Sequence, residues 1–187
     1  MFLDFLKNIN WVDILMMVIF IRIIYIGAKT GFVTEFLKLL GICGVTFVAL
    51  HYYSSLGELL ADKVPFLSPW ADLIMFGVLW ALFVFAFKLV RDGLLLIFKI
   101  EAHSVLNRWG GIVIAIGRGL IICSLVLLSF HISGVTYFKK NVERALTHPF
   151  LLVVSLRIYQ GIFDGVVSKF FPEEKLNLDV FQLKPQS

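Results

Sequence analysis

The chain has 187 residues, of which 59% are hydrophobic and only 16% charged. A water-soluble domain of this size keeps too much surface to hide such an apolar excess, which excludes an ordinary soluble enzyme, a disordered chain and a polar nucleic-acid binder. The formal net charge of +4, from 17 basic and 13 acidic residues, is modest and is read through its placement.

A spanning helix needs about 20 mostly apolar residues. Asp4 and Lys7 precede the first apolar run, Arg22 lies inside it, and no small-residue cleavage pattern follows, so this run reads as a retained span. Four windows qualify: about 11–27, 32–52, 70–90 and 109–132. All four are predicted helices, because lipid leaves no other partner for backbone polar groups. Trp11, Trp70 and Trp109 stand at helix starts and Tyr52 and Tyr53 at an end, where amphipathic rings favour the headgroup level.

The connections differ. Residues 28–31 form a tight turn that is expected to make a helical hairpin of the first two spans. Residues 53–69 read as a polar loop with Pro65 and Pro69. Residues 91–108 mix Arg91, Asp92, Lys99 and Glu101 with apolar side chains, and read as a piece lying in the interface. The expected organisation is a membrane domain over 1–135 and a tail over 136–187. Within the tail, 150–171 is an amphipathic helix. Arg157, Gln160, Asp164 and Ser168 share one face; Leu152, Tyr159, Ile162, Phe163, Val166 and Phe170 fall largely on the other. Such a helix rests on the membrane or against the bundle. After Pro172 the chain is polar and is expected to be loose. The fold class is therefore all-α: a polytopic membrane protein with about four transmembrane helices plus interfacial amphipathic helices.

Basic residues in short loops set orientation. Lys29, flanked by Arg22 and Lys38, and then Lys88, Arg91, Lys99 and Arg108 place the first and third connections in the cytoplasm, with both ends outside. The basic tail, with Lys139, Lys140 and Arg144 among others, argues the other way, but long segments obey the charge rule less well.

The fourth span carries the clearest pattern. Gly111, Ala115 and Gly119 recur every four residues and form one smooth stripe, with Gly117 a further small position nearby. Small side chains let two helices approach closely, within the bundle or between subunits. Arg118 lies beside the stripe, about 13 Å into the span at 1.5 Å per residue. It is either a functional intramembrane charge or a snorkelling side chain. Arg22 and Glu35 lie at similar depths on opposite sides of the first turn, roughly 11 and 8 Å from it, and are expected to pair. Lys38 shares the face of Glu35. Asn10 is a candidate cap and Asp13 falls at the third helical position, where a carboxylate suits a helix N-terminus. Arg22, Lys38, Lys88 and Arg118 against the single acid Glu35 make a positive surplus in one leaflet. That surplus suits anionic lipid headgroups first and a small anion second.

Cys43 and Cys123 lie in apolar runs and read as buried small hydrophobes. His51, His103, His131 and His148 share no ligand spacing, so no metal and no cofactor is expected. Phosphate-cradling loops, nucleophile elbows and paired acids are missing, so no enzyme is expected.

The stretch Asn10-Trp11-Val12-Asp13-Ile14, then Arg22, Gly27, Lys29, Gly31-Phe32-Val33 and Glu35, resembles the opening of the colicin V production protein (CvpA) family. Asn107-Arg108-Trp109-Gly110-Gly111 and Gly117-Arg118-Gly119 resemble its second motif. The resemblance covers about residues 10–135. Asn107 stands where the family often has Asp, and Ala115 where it often has Gly. The resemblance implies a bacterial inner-membrane, multi-pass protein with a part in production or export of the peptide toxin colicin V and in envelope homeostasis. It implies no catalytic residues. The leading expectation is an accessory protein that assembles with itself or with other inner-membrane proteins, amid anionic lipid and without nucleic acid. The rival is a small oligomeric channel or transporter for an ion or small anion, built around Arg22, Glu35 and Arg118. A membrane enzyme is a weaker third class.

Overall fold

In the computed structural model, which describes residues 10–97, 104–171 and 173–182, the described chain is helical throughout its regular structure. Helix α1 is Trp11–Thr30, α2 is Phe32–Lys63 and α3 is Ala71–Ile97, entered through a 3-10 turn at Pro65–Trp70. Helix α4 is Ser104–Ile132, α5 is Thr136–Arg144, α6 is His148–Ile162 and α7 is Asp179–Gln182. A π-helical turn at Phe163–Val167 carries α6 on into Ser168–Phe170.

Five helical stretches are long and apolar enough to cross a membrane: Trp11–Thr30, Phe32–Lys63, Pro65–Leu95, Asn107–Ile132 and His148–Phe170. The protein is thus an all-α, multi-pass membrane protein. Helix α2 runs on past Tyr52 to Lys63, so the polar loop expected over 53–69 is three turns of helix followed by the proline-bearing 3-10 turn. Ser54, Ser55, Glu58 and Asp62 are good enough helix residues once a long apolar helix has already been nucleated. The central residues of the interfacial piece expected over 91–108 lie outside the described residues; α3 itself reaches Ile97 and α4 begins at Ser104.

The spans stand in the order α1, α4, α2, α3. Helix α4 is wedged between α1 and α2, which touch little beyond their turn. The close hairpin expected for the first two spans is therefore opened by a third helix. Gly31 makes this possible: its φ of 84° turns the chain sharply, in a region that non-glycine residues avoid. Half of the spanning window of α4 is buried, against 6% for α3, which packs mainly on α2.

Helix α6 does not run through this row. Its first residue, His148, stacks on His131 near the end of α4, with ring centroids 6.2 Å apart. Eleven residues on, Tyr159 bonds His51 of α2 at 3.0 Å. Tyr53, two residues from His51, lines one cavity with His131 and Ile132, so both ends of this stretch meet the same end of the bundle. Between them Ser155 N–H donates to Ser124 Oγ, which itself donates to the Leu151 carbonyl. The buried face is Leu151, Leu152, Ser155, Leu156, Tyr159 and Phe163; Arg157, Gln160, Asp164 and Ser168 are exposed, as the amphipathic pattern predicts. Val166 and Phe170, placed on the apolar face by the pattern, are exposed: the stretch after Phe163 is not covered by the rest of the chain.

Pro172 lies outside the described residues, but 173–182 is anchored and not loose. Asn177 Nδ2 donates to the carbonyls of Leu50 and His51 and to Ser54 Oγ, and Asn177 N–H donates to Tyr159 Oη at 2.9 Å. Val180 is fully buried. The polar composition of this segment serves hydrogen bonds to α2 where that helix emerges from the core.

Candidate functional site

Glu35 sits in the first turn of α2, the favoured place for a carboxylate on a helix, yet it is fully buried. Three groups meet it. Thr30 Oγ1 donates to Oε1 at 2.5 Å, Lys38 Nζ donates to Oε1 at 2.7 Å, and Arg118 Nη2 lies 2.8 Å from Oε2. Helical side chains lean toward their own N-terminus. The N-terminus of α4 lies at the turn, so the long stem of Arg118 reaches back toward Glu35. A lone buried carboxylate is costly, and this surrounding set of donors offsets that cost. Arg118 Nε remains buried with no hydrogen-bond partner among the described residues.

The expected pair of Arg22 with Glu35 does not form. Arg22 is exposed on α1, while α4 fills the space beside Glu35 and brings its own arginine. The intruding helix changes the partner.

Arg118 and Lys38 also line a cleft of about 290 Å³ between α2, α3 and α4. Lys88 and Arg91 face it from α3, and Arg91 also holds Asp92, with Nη2 2.6 Å from Oδ1. Its walls are apolar, formed by Ile42, Val45, Val84, Phe87 and Ile122. Trp80, another wall residue, has a buried indole N–H without a partner among the described residues.

Gly111, Ala115 and Gly119 turn the other way, toward α1. A side chain on Gly111 would strike the Gly27 carbonyl, and one on Gly119 would strike Phe20. Ala115 is fully buried against Gly27, where any side chain would collide with its Cβ. The stripe is an internal seam of one chain. Gly117 is not part of it: nothing lies within 4 Å of where its Cβ would stand. Gly27, opposite the stripe, is the partner that sequence reading left unassigned; a small residue one turn before the first connection is its signal.

Asn107 was also unassigned. Its Oδ1 accepts the Phe32 N–H at 2.7 Å, so α4 caps the otherwise open N-terminus of α2. An aspartate at this position has the same acceptor, which explains how Asn serves.

Asn10 and Asp13 form the expected cap at the opposite end. The Asn10 side chain accepts the Trp11 N–H at 2.7 Å, and Asp13 accepts the Asn10 N–H at 3.1 Å. Asp13 does more than cap. Its carboxylate also accepts the N–H groups of Leu146 and Thr147 and the Thr147 hydroxyl. It therefore ties the first span to the chain entering α6.

Cys43 and Cys123 are free thiols, and the Cys123 thiol faces the Met16 carbonyl at 3.5 Å. No group of three or more His, Cys, Asp or Glu among the described residues is placed to hold a metal.

No curated protein and no solved structure matches the chain. A family model described as colicin V production protein matches residues 12–156. That span takes in Asp13, the first turn with Glu35, the small-residue seam of α4 and most of α6. On that match over most of its length, the chain belongs to the colicin V production protein family.

Proposed function

We propose that this protein is an accessory component of the bacterial inner membrane that serves colicin V production and export, and envelope homeostasis, by assembling with itself or with another inner-membrane protein. Family membership supports the production role. The observation that supports assembly is the third span: only 6% of its window is buried by its own chain, and Leu82 and Phe85 stand on its outer face. With the Gly111 seam used internally, α3 is the least covered of the spans and the first candidate to meet a neighbour. No catalysis is assigned to it.

The test is a strain lacking the protein, complemented in trans, with toxin activity read in the medium. Phe85→Cys is expected to give crosslinked species in intact membranes. Leu82→Ala with Phe85→Ala is expected to lower toxin release several-fold at unchanged protein level. Equal toxin release with and without the protein, or no crosslinked species from any cysteine on the outer face of α3, contradicts the proposal.

The second reading is a small oligomeric channel or transporter for an ion or small anion, and the basic end of the cleft favours it. On this reading Arg118→Gln alters anion flux in proteoliposomes. Equal flux with and without the protein counts against it.

A further inference from the structure

We propose that the cleft between α2, α3 and α4 seats one anionic phospholipid. Its phosphate would lie among Lys38, Lys88, Arg91 and Arg118, and an acyl chain would run over Ile42, Val45, Val84 and Ile122.

Charge points to a phosphate. Four cations face this space, while the two carboxylates beside them, Glu35 and Asp92, are already held by Lys38, Arg118 and Arg91. Lys88 is exposed and makes no ion pair among the described residues. Two positive charges are left over, and the buried Arg118 Nε adds a donor with no partner among the described residues. Chain direction makes the cations converge. Side chains lean toward their helix N-terminus, so Lys38 and Arg118 lean toward the turn while Lys88 and Arg91, on the antiparallel α3, lean inward from it. By helical rise Lys38 lies about 13 Å from the midpoint of the turn, and its long stem leans back toward the headgroup end.

The apolar wall points to a lipid and not a free anion. Moving away from the cations, the cleft is bounded by apolar side chains, which cost a small anion its hydration and return little beyond the single Trp80 N–H. Val84 is 45% exposed, so the cleft opens sideways to the bilayer, where an acyl chain can enter. The seat stands on the chemistry of the cleft and does not depend on the toxin role.

Native mass spectrometry of the full chain, released from membranes of phosphatidylglycerol or of phosphatidylcholine, tests it. One retained phosphatidylglycerol is expected, with little phosphatidylcholine. Lys88→Gln should lower that retention about fivefold, as for one cation near anionic lipid. Val84→Trp fills the apolar part and should lower lipid retention while leaving the cations in place. Circular dichroism on both exposed-site variants confirms that they fold. Retention unchanged by either substitution overturns the proposal. So does full displacement by inorganic phosphate that is indifferent to Val84→Trp, which is a small-anion site. So does a crosslinked second copy that covers the cleft and excludes lipid.

Discussion

Arg118 sets the energetics at the scale of single residues. Removing one partner of a buried ion pair strands the other, and typically costs more than replacing both. Arg118→Gln leaves Glu35 with Lys38 and Thr30 alone. It is expected to destabilise the protein by about 3 kcal/mol, read as a lower thermal midpoint in detergent. The double change Glu35→Leu with Arg118→Met removes both charges and should recover much of that loss; a double variant no better than the single one contradicts the pairing. Arg22→Gln, on the exposed face of α1, is expected to change stability by less than about 0.5 kcal/mol. Asp13 is the second residue of consequence. Asp13→Ala strips acceptors from the part-buried N–H groups of Leu146 and Thr147 at once, at an expected cost of about 1–2 kcal/mol. Limited proteolysis should then cut between α5 and α6 where the parent chain is resistant.

At the scale of helices, α4 is the organiser: it offers small residues to α1 and an arginine to α2. In lipid, close packing replaces the hydrophobic drive that holds soluble helices together. Ala115→Leu therefore forces apart α1 and α4 within one chain, at a cost of about 1–3 kcal/mol for overpacking. Gly117→Ala meets open space and should be neutral or gain up to about 1 kcal/mol in helix propensity. Equal effects of the two substitutions on thermal stability would deny the seam. The existence and places of the spans were legible because a 20-residue apolar run has few other readings. The stripe was legible for the same reason: its period fixes a face. Its partner was not, since nothing in residues 111–119 says whether α1, α2 or a second chain lies opposite. The misassigned mate of Glu35 has the same origin. Depth along a helix can be counted from a turn, but the lateral order α1, α4, α2, α3 is a tertiary fact. The helical run 53–63 was missed because its polar residues read as a loop, although they extend a helix already formed.

For the whole molecule, four crossings are bound at one end by the Glu35 junction and spanned at the other by α6. The stretch His148–Phe170 is long and apolar enough to be a fifth crossing, yet the contacts of His148 and Tyr159 hold it across one end. Residues before and after it must then face the same side of the membrane. Glu143 precedes α6 and Ser168 follows it, and both are exposed. Single cysteines at these two positions, in a chain otherwise freed of Cys43 and Cys123, can be labelled in intact cells or right-side-out vesicles with a membrane-impermeant maleimide. Glu143→Cys and Ser168→Cys are expected to react from one face, and Lys29→Cys, in the first turn, from the other. Labelling of residues 143 and 168 from opposite faces would make α6 a fifth span and contradict the account.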